Sequence, residues 1–265
     1  MEQIYVNVVL VKLIILNIWG GKVYEPLMAF LKEHSKEVDI FCLQEVFNTP
    51  MEEEIPSEAR IKIFSEIGSV LTSFTGFHAP ITIGWDWSDK KINLPVQFGL
   101  ATFIRKSIQI DSLGDFFVLG KLGDFTGKPE SRPRNVQYVR FSQNGIHYTI
   151  CNFHGHWKPH TNKEDLPERI EQSQKIVEFL KPEKSKKILC GDFNLAPHTQ
   201  SIRILEDGMR NLVKEYGITS TRSHYYTKDG KFADYILVSP EVEVKDFKVL
   251  PDVVSDHLPL YLEFT

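Results

Sequence analysis

Apolar positions along the chain fall into two rhythms. Compact runs rich in Val, Ile, Phe and Tyr predict strands over Val11–Asn17, Val38–Leu43, Gly99–Arg105, Ser107–Ile110, Val136–Phe141 and Ile146–Phe153. Further runs predict strands over Lys187–Cys190, Phe232–Val238, Val242–Leu250 and Leu258–Phe264. Spacings of three and four predict helices between them. Pro26 opens one with Val23, Leu27, Phe30 and Leu31 on a single face. Ala59–Phe74 reads as a second through Ile63, Ile67, Val70, Leu71 and Phe74. Leu166–Lys181 reads as a third, with Pro167 near its start and Ile170, Ile176, Val177 and Leu180 inward. Two short helices are expected at about Thr199–Asp207 and Met209–Tyr216. Gln143-Asn144-Gly145 marks a hairpin. The longest stretches without either rhythm are 84–96 and 111–134, and irregular segments of that length are usually functional or mobile.

No repeat, low-complexity tract or Pro/Gly linker divides this pattern. Hairpins mixed with crossover helices predict an α/β body, sheets packed on each other and covered by helices, as one domain over 1–265. Residues 1–11 are a candidate N-terminal extension. The segment IYVNVVLVKLIILNIW is apolar enough to raise a membrane question, but Asn7, Lys12 and Asn17 interrupt it and Glu2 stands where a signal peptide carries basic residues. A strand and a cytoplasmic address are therefore expected. Composition is ordinary for a globular chain, 42% hydrophobic and 25% charged. A formal net charge of −4 and a pI near 6.2 make the whole molecule no magnet for DNA or anionic membrane, though a local basic groove is compatible with them. Cys42, Cys151 and Cys190 lie in apolar runs without a C-x-x-C pair, so buried reduced thiols are expected.

The apolar runs share a feature at their ends. One closes on Asn17, another on Glu45, a third on His154 and His156, a fourth on Asp192 and Asn194. Asp234 opens a fifth, and Ser255-Asp256-His257 precedes the last. A single polar tip is usually a turn or cap. Six of this chemical type suggest strand ends converging on a site. Carboxylates and carboxamides are hard oxygen donors that suit Mg²⁺, Ca²⁺ or Mn²⁺ better than zinc. The chain lacks H-E-x-x-H, a Walker loop, G-x-G-x-x-G and G-x-S-x-G, so nothing announces a zinc, nucleotide-loop or serine enzyme. A hard ion among Asn, Asp and His is apparatus for transferring a phosphoryl group to water.

In order, LNIWGG, LQEV, NFHGHW, GDFN, ADYILV and SDHLPL resemble the endonuclease/exonuclease/phosphatase superfamily over nearly the whole chain, from Asn17 to His257. The resemblance implies a four-layer α/β sandwich, two packed mixed β-sheets flanked by helices. It also implies roles. Glu45 would be the principal metal carboxylate, with Asn17 beside the ion and Asp256 near it. Asp192 and Asn194 would orient or deprotonate the attacking water. His257 would face the scissile phosphate, with its tautomer held by Asp234. His154 would contact the phosphate, at a place where AP endonucleases carry tyrosine. The implied cofactor is Mg²⁺, with Mn²⁺ as the alternative.

Other candidates carry open readings. Arg134 and Asn135 follow Ser131-Arg132-Pro133 and are either loop residues or phosphate contacts. His156 is either a core histidine or part of the site. Trp85 and Trp87 are a base-stacking platform, an interfacial lipid tip or plain packing. The expected activity is hydrolysis of phosphate esters, foremost phosphodiesters of nucleic acid or nucleotides, by a monomer needing no protein partner. Phospholipid in a membrane, in the manner of a sphingomyelinase, is the next reading, and inositol phosphates follow. A silent relative kept as a binding module should have lost polar tips, and every tip is present.

Overall fold

The computed structural model describes residues 10–51 and 57–265. Of the expected N-terminal extension, residues 1–9 lie outside the described residues. Two six-stranded sheets face each other. The first runs, edge to edge, β11 (Val244–Val249), β12 (Leu260–Phe264), β1 (Val11–Asn17), β2 (Ile40–Asn48), β4 (Gln97–Arg105) and β3 (Phe74–Ile83). The second runs β5 (Gln109–Leu119), β6 (Arg134–Gln143), β7 (Ile146–His154), β8 (Lys186–Asp192), β10 (Asp234–Val238) and β9 (Arg210–Asn211). Two pairs are parallel, β1 with β2 and β7 with β8. Helix α1 (Tyr24–His34) makes the first of these crossovers and α3 (Pro167–Leu180) the second. Helices α2 (Ile63–Val70), α4 (Gln200–Leu205) and α5 (Leu212–Glu215) complete the set. The expected architecture, mixed sheets packed face to face between helices, is the one found.

Strand β1 shows why both its faces must be apolar. Leu13 and Ile15 point between the sheets, where they pack with Ile150, Leu189 and Leu262. Ile14 and Leu16 point the other way, onto Leu27, Phe30 and Leu31 of α1 and Ile63 and Ile67 of α2. A central strand buried on both faces reads as a continuous apolar run. Each such side chain contributes about 1.5–3 kcal/mol by leaving water. The three cysteines are buried thiols. Among the described residues, no helix is long and apolar enough to cross a membrane.

The space between the sheets also holds a polar network. Gln44 donates from Nε2 to Asn152 Oδ1 across the interface at 2.7 Å. Asn152 Nδ2 donates to the carbonyls of Leu43 and Ala101, each at 3.2 Å. Thr102 donates to Gln137 Oε1 at 2.7 Å, and Gln137 in turn donates to the Phe77 carbonyl at 3.0 Å. The β2–β4 ladder skips between Leu43 and Val46. Asn152 thus donates to backbone on both strands beside this bulge.

Some expected elements differ. The helix expected over 59–74 spans only Ile63–Val70, and Phe74 instead opens β3. That strand lies at an edge, and its Pro80 sits at a register shift against β4. Edge strands and bulges are where a sheet tolerates proline, so the residues that hid the strand also mark its position. Segment 111–134 is not wholly irregular. Strand β5 runs on to Leu119 at the free edge of the second sheet, where its exposed and half-buried side chains carry no apolar alternation. The helix expected at 209–216 becomes the short strand β9 followed by α5.

Two outcomes follow. Asn152→Leu would remove the buried hydrogen bonds to Gln44, Leu43 and Ala101, costing about 2–4 kcal/mol in urea unfolding. The second concerns Glu183, which receives Arg140 Nε and Nη2 at 3.1 and 2.7 Å and Thr149 Oγ1 at 3.0 Å. Arg140 holds the Glu183 carboxyl below its usual value, burial works against it, and Thr149 adds to it. A depressed folded pKa stabilises above the unfolded value and is lost as pH falls through the folded one. Glu183→Gln should therefore cost about 1 kcal/mol at neutral pH, and the gap to the parent protein should close in acid.

Candidate active site

Strand pairing gathers the polar tips. Asn17 at the end of β1 stands opposite Gln44 in parallel β2, one residue before Glu45. His154 at the end of β7 stands opposite Asp192 at the end of parallel β8. Antiparallel β10 begins where β8 ends, so Asp234 is also opposite Asp192. Antiparallel β12 begins where β1 ends, and it brings Asp256 and His257 to the same edge. The edge opens into a cleft of about 260 Å³ whose lining includes Glu45, His154, Asp192, Asn194, Asp256 and His257.

Four lining residues other than glycine adopt positive φ: Trp19 at 52°, Glu45 at 59°, Asp89 at 61° and Asn194 at 52°. Such backbone persists where surroundings over-determine it, and it clusters at functional sites. At Glu45 the left-handed turn falls inside the β2 bulge and aims the carboxyl into the cleft. At Asn194 the backbone N–H donates to Asp192 Oδ1 at 2.9 Å, a turn closed by the aspartate's own side chain. The chain thus bends after Asp192 instead of running on as a strand. Phe193 between them packs between Phe153 and Tyr235.

Hydrogen bonds fix the centre. Asn17 Nδ2 donates to Asp192 Oδ2 at 3.1 Å, while its Oδ1 accepts the Trp19 N–H at 3.0 Å. His257 Nδ1 donates to both oxygens of Asp234, at 2.8 and 2.9 Å, and Thr221 Oγ1 donates to Asp234 at 2.7 Å. The other ring nitrogen of His257 lies 3.5 Å from Asp192 Oδ2 and accepts from Arg222 Nη1. His154 Nε2 sits 3.7 Å from Asp192 and 3.9 Å from Glu45.

Electrostatics divide the carboxylates. Burial pushes Asp192 up, but His257, His154, Arg222 and Lys163 together outweigh it and hold the group ionised. Glu45 goes the other way, because burial and the Asp256 charge push it up against a hydrogen bond from Asn17. Burial, reinforced by Arg134, pushes His154 well below the ordinary histidine value, so it is neutral at neutral pH.

Among the described residues, Asp192, Asp234 and His257 bring ligand atoms within 4.8 Å of one another, a group that could hold a metal ion. Glu45 and Asp256 form a second acidic pair. Raised by its neighbour's charge, Glu45 is relieved by a cation, which suits a hard divalent ion on oxygen donors.

The remaining candidates separate. Arg134 lines the cleft at 3% exposure, and its Nε and Nη1 have no hydrogen-bond partner. Burial lowers its pKa to about 9. Asn135, next along β6, faces the opposite way by strand alternation. Its Nδ2 donates to Asp115 at 3.0 Å, and it is not part of the lining. His156 is also outside the cleft, 1% exposed, its backbone held by Gln172 and Arg169. Trp85 and Trp87 both line the cleft and are packed on neighbours, Trp85 against Phe125 and Trp87 against Phe47.

Arg222 is the residue that sequence reasoning missed. It pairs with Asp256 at 3.4 Å, lies over the Tyr226 ring at 4.0 Å, and keeps a buried Nε without a partner. Its segment has no apolar period. A backbone bridge between Arg222 and His257, with Thr221 donating to Asp234 and Ser223 to the Ser255 carbonyl, brings it to the site. Arg132, Trp157, Tyr226 and Lys228 join the lining in the same way, through loops.

Gly191 has φ 133°, and a Cβ there would lie 2.0 Å from the Phe153 carbonyl oxygen. Gly191→Ala should therefore force β7 and β8 apart and cost about 3 kcal/mol or more. Chemical denaturation would read this, and an unchanged midpoint would show that the contact is easily relieved.

The sequence model for the Endonuclease/Exonuclease/phosphatase family matches residues 14–257. No curated protein matches the sequence. Solved structures do share the fold. A family protein from Bacteroides thetaiotaomicron has a TM-score of 0.69 at 20% identity, covering 97% of each chain. A mannosyl-6-phosphatase from the same species has a TM-score of 0.68 at 20% identity, covering 96% of this chain and 99% of its own. The human Nocturnin catalytic domain with bound sulfate has a TM-score of 0.66 at 19% identity, covering 97% and 93%.

Proposed function

The chain belongs to the Endonuclease/Exonuclease/phosphatase family, hydrolases of phosphoester bonds, and from that premise we propose that it is a Mg²⁺-dependent phosphodiesterase acting on nucleic acid or nucleotide substrates. The observation that carries the proposal is the buried His257–Asp234 pair facing ionised Asp192 in one cleft with the unpartnered guanidinium of Arg134. Unpaired buried donors are costly, and a phosphate oxygen is the acceptor that fits a guanidinium fork.

Each residue then has a task. Asp192, kept ionised, accepts a proton from the attacking water, and Asn194 helps to orient that water in line with phosphorus. Asp234 fixes the proton of His257 on Nδ1, so Nε2 faces the reacting group. Arg134 and Arg222 offer N–H donors to the non-bridging oxygens, where charge develops. A phosphate that draws Arg222 aside leaves His257 Nε2 free to assist. Glu45, with Asn17 and Asp256, would hold the ion, whose charge offsets that of the departing oxygen. Mn²⁺ suits the same donors.

The aromatic rings favour a nucleotide. Trp85 and Trp87 line the cleft beside Phe47 and Phe98 instead of projecting as an exposed tip, which suits stacking on a base better than entry into lipid.

The test uses bis(p-nitrophenyl) phosphate and a panel of DNA, RNA, sphingomyelin and inositol phosphates. Turnover should vanish in EDTA and return with Mg²⁺. Glu45→Gln, Asp192→Asn and His257→Ala should each lower kcat/KM by about 10²–10⁴ while thermal melting shows a folded protein. Full turnover by His257→Ala would refute the mechanism, and turnover of lipid alone would refute the substrate class.

A further inference from the structure

Two connections supply the cleft with residues that no strand presents. One, 155–166, leads from β7 to α3 and carries Trp157. The other, 219–233, leads into β10 and carries Arg222, Tyr226 and Lys228. The first is held in an unusual shape. His160, Asn162 and Lys163 have φ of 59°, 47° and 62°, three left-handed residues other than glycine within four positions. Arg169 of α3, 1% exposed, clamps them. Its Nε donates to the His156 carbonyl at 3.1 Å, its Nη2 to Thr161 Oγ1 at 3.1 Å, and its Nη1 to the Glu164 carbonyl. Strained backbone of this kind is kept where it places something. Here it places a buried cation. Lys163 is 8% exposed, and burial, reinforced by the Arg222 charge, pushes its pKa down to about 8. Lysine is almost never buried without an ionic partner. Asp192, Asp234 and Asp256 act on this one only through their charge, and its Nζ donates to the Phe232 carbonyl at 2.7 Å.

That carbonyl belongs to the second connection, at the point that holds Arg222. Thr221 donates its N–H to the Lys231 carbonyl at 2.8 Å and its Oγ1 to Asp234 at 2.7 Å. The backbone at Arg222 is thereby fixed against residues 231–234, and Lys163 fixes those residues in turn. Side chains repeat the link. The Arg222 guanidinium lies over the Tyr226 ring at 4.0 Å, and Lys163 Nζ lies 5.5 Å from the centre of the same ring. The Lys163 carbonyl accepts the Ala196 N–H at 3.0 Å, two residues beyond Asn194. We infer that Lys163 is a positioning residue for Arg222, setting that guanidinium where it meets His257 and Asp256 and where a phosphate oxygen would take its donors. The inference rests on the phosphodiesterase reading and deepens it. Lys163 does not line the cleft, so it acts through Arg222 and not on the substrate. Arg222 needs such support, because it lies outside every helix and strand. A misplacement of about 1 Å at a reacting centre can cost about a hundredfold in rate.

The experiment is a double-mutant cycle on the full chain with Mg²⁺ and bis(p-nitrophenyl) phosphate, using Lys163→Met, Arg222→Ala and the two together. Lys163→Met should lower kcat/KM at least about fivefold, and the loss should fall in the same parameter, kcat or KM, as that of Arg222→Ala. The double variant should stay within about threefold of Arg222→Ala alone, because a residue that acts through Arg222 then has nothing left to position. A purely structural role would make the losses multiply. A single loss below about fivefold, a loss in the other parameter, or a double variant beyond about threefold overturns the inference and leaves the phosphodiesterase reading standing. If thermal melting shows Lys163→Met unfolded, Lys163→Gln, which keeps an N–H donor, takes its place in the cycle. If both unfold, Lys163 serves the fold at large and the inference is overturned. No EDTA-sensitive turnover by the parent protein, on this ester or on nucleic acid, refutes the phosphodiesterase reading itself, and the inference falls with it.

Discussion

The Gln44–Asn152 amide pair between the sheets is the contact on which the site depends. Two apolar sheet faces can slide with little change in energy, because hydrophobic contact has no direction. Hydrogen bonds do have direction. Asn152 Oδ1 takes the Gln44 side chain, and its Nδ2 reaches the carbonyls of Leu43 and Ala101. This holds the parallel pair β1–β2 over the parallel pair β7–β8. It also donates to the backbone beside the bulge that gives Glu45 its positive φ. Fixed register on one side and a strained turn on the other put Glu45, His154 and Asp192 within about one side chain's reach.

Gathering so many charges at one edge has a cost, and the site shows how it is met. Asp192 stays ionised because His257, Arg222 and Lys163 surround it and Asn17 and the Asn194 N–H donate to it. Asp234 is satisfied by His257 and Thr221. Glu45 and Arg134 are left incomplete, one raised by a neighbouring carboxylate and the other holding unpaired donors. An anion-accepting guanidinium beside a cation-accepting carboxylate is the complement of a metal-bound phosphate ester. That complementarity ties a hydrolase of phosphoester bonds to this edge of the fold.

The strands at the sheet centres were plain in the sequence because burial on both faces demands unbroken apolar runs, as in β1, β8 and β10. Strands β3 and β5 were not, because each lies at a sheet edge. Pro80 and the irregularly spaced Asp111, Ser112 and Asp115 of β5 are tolerated there, and both erase the period that would announce a strand. Arg134 and Asn135 show the same limit within the site. They adjoin in sequence, yet alternation turns one into the cleft and the other onto Asp115. Arg222 carried no local signal at all, since its place comes from a bridge to His257 across 35 positions of chain.

By itself the sequence determined the two rhythms that build the sheets and helices, and the chemical types placed at the strand ends. Both are local, since period and residue identity need no knowledge of distant partners. Only the tertiary structure decided which ends meet, that Arg222 and Arg132 join them, that Asn135 and His156 do not, and that the connections around 84–92 and 120–132 meet beside the cleft through Asp89 and Arg132. Those outcomes depend on strand order, register and loop packing, which are set by contacts far apart in the chain and leave no period along it.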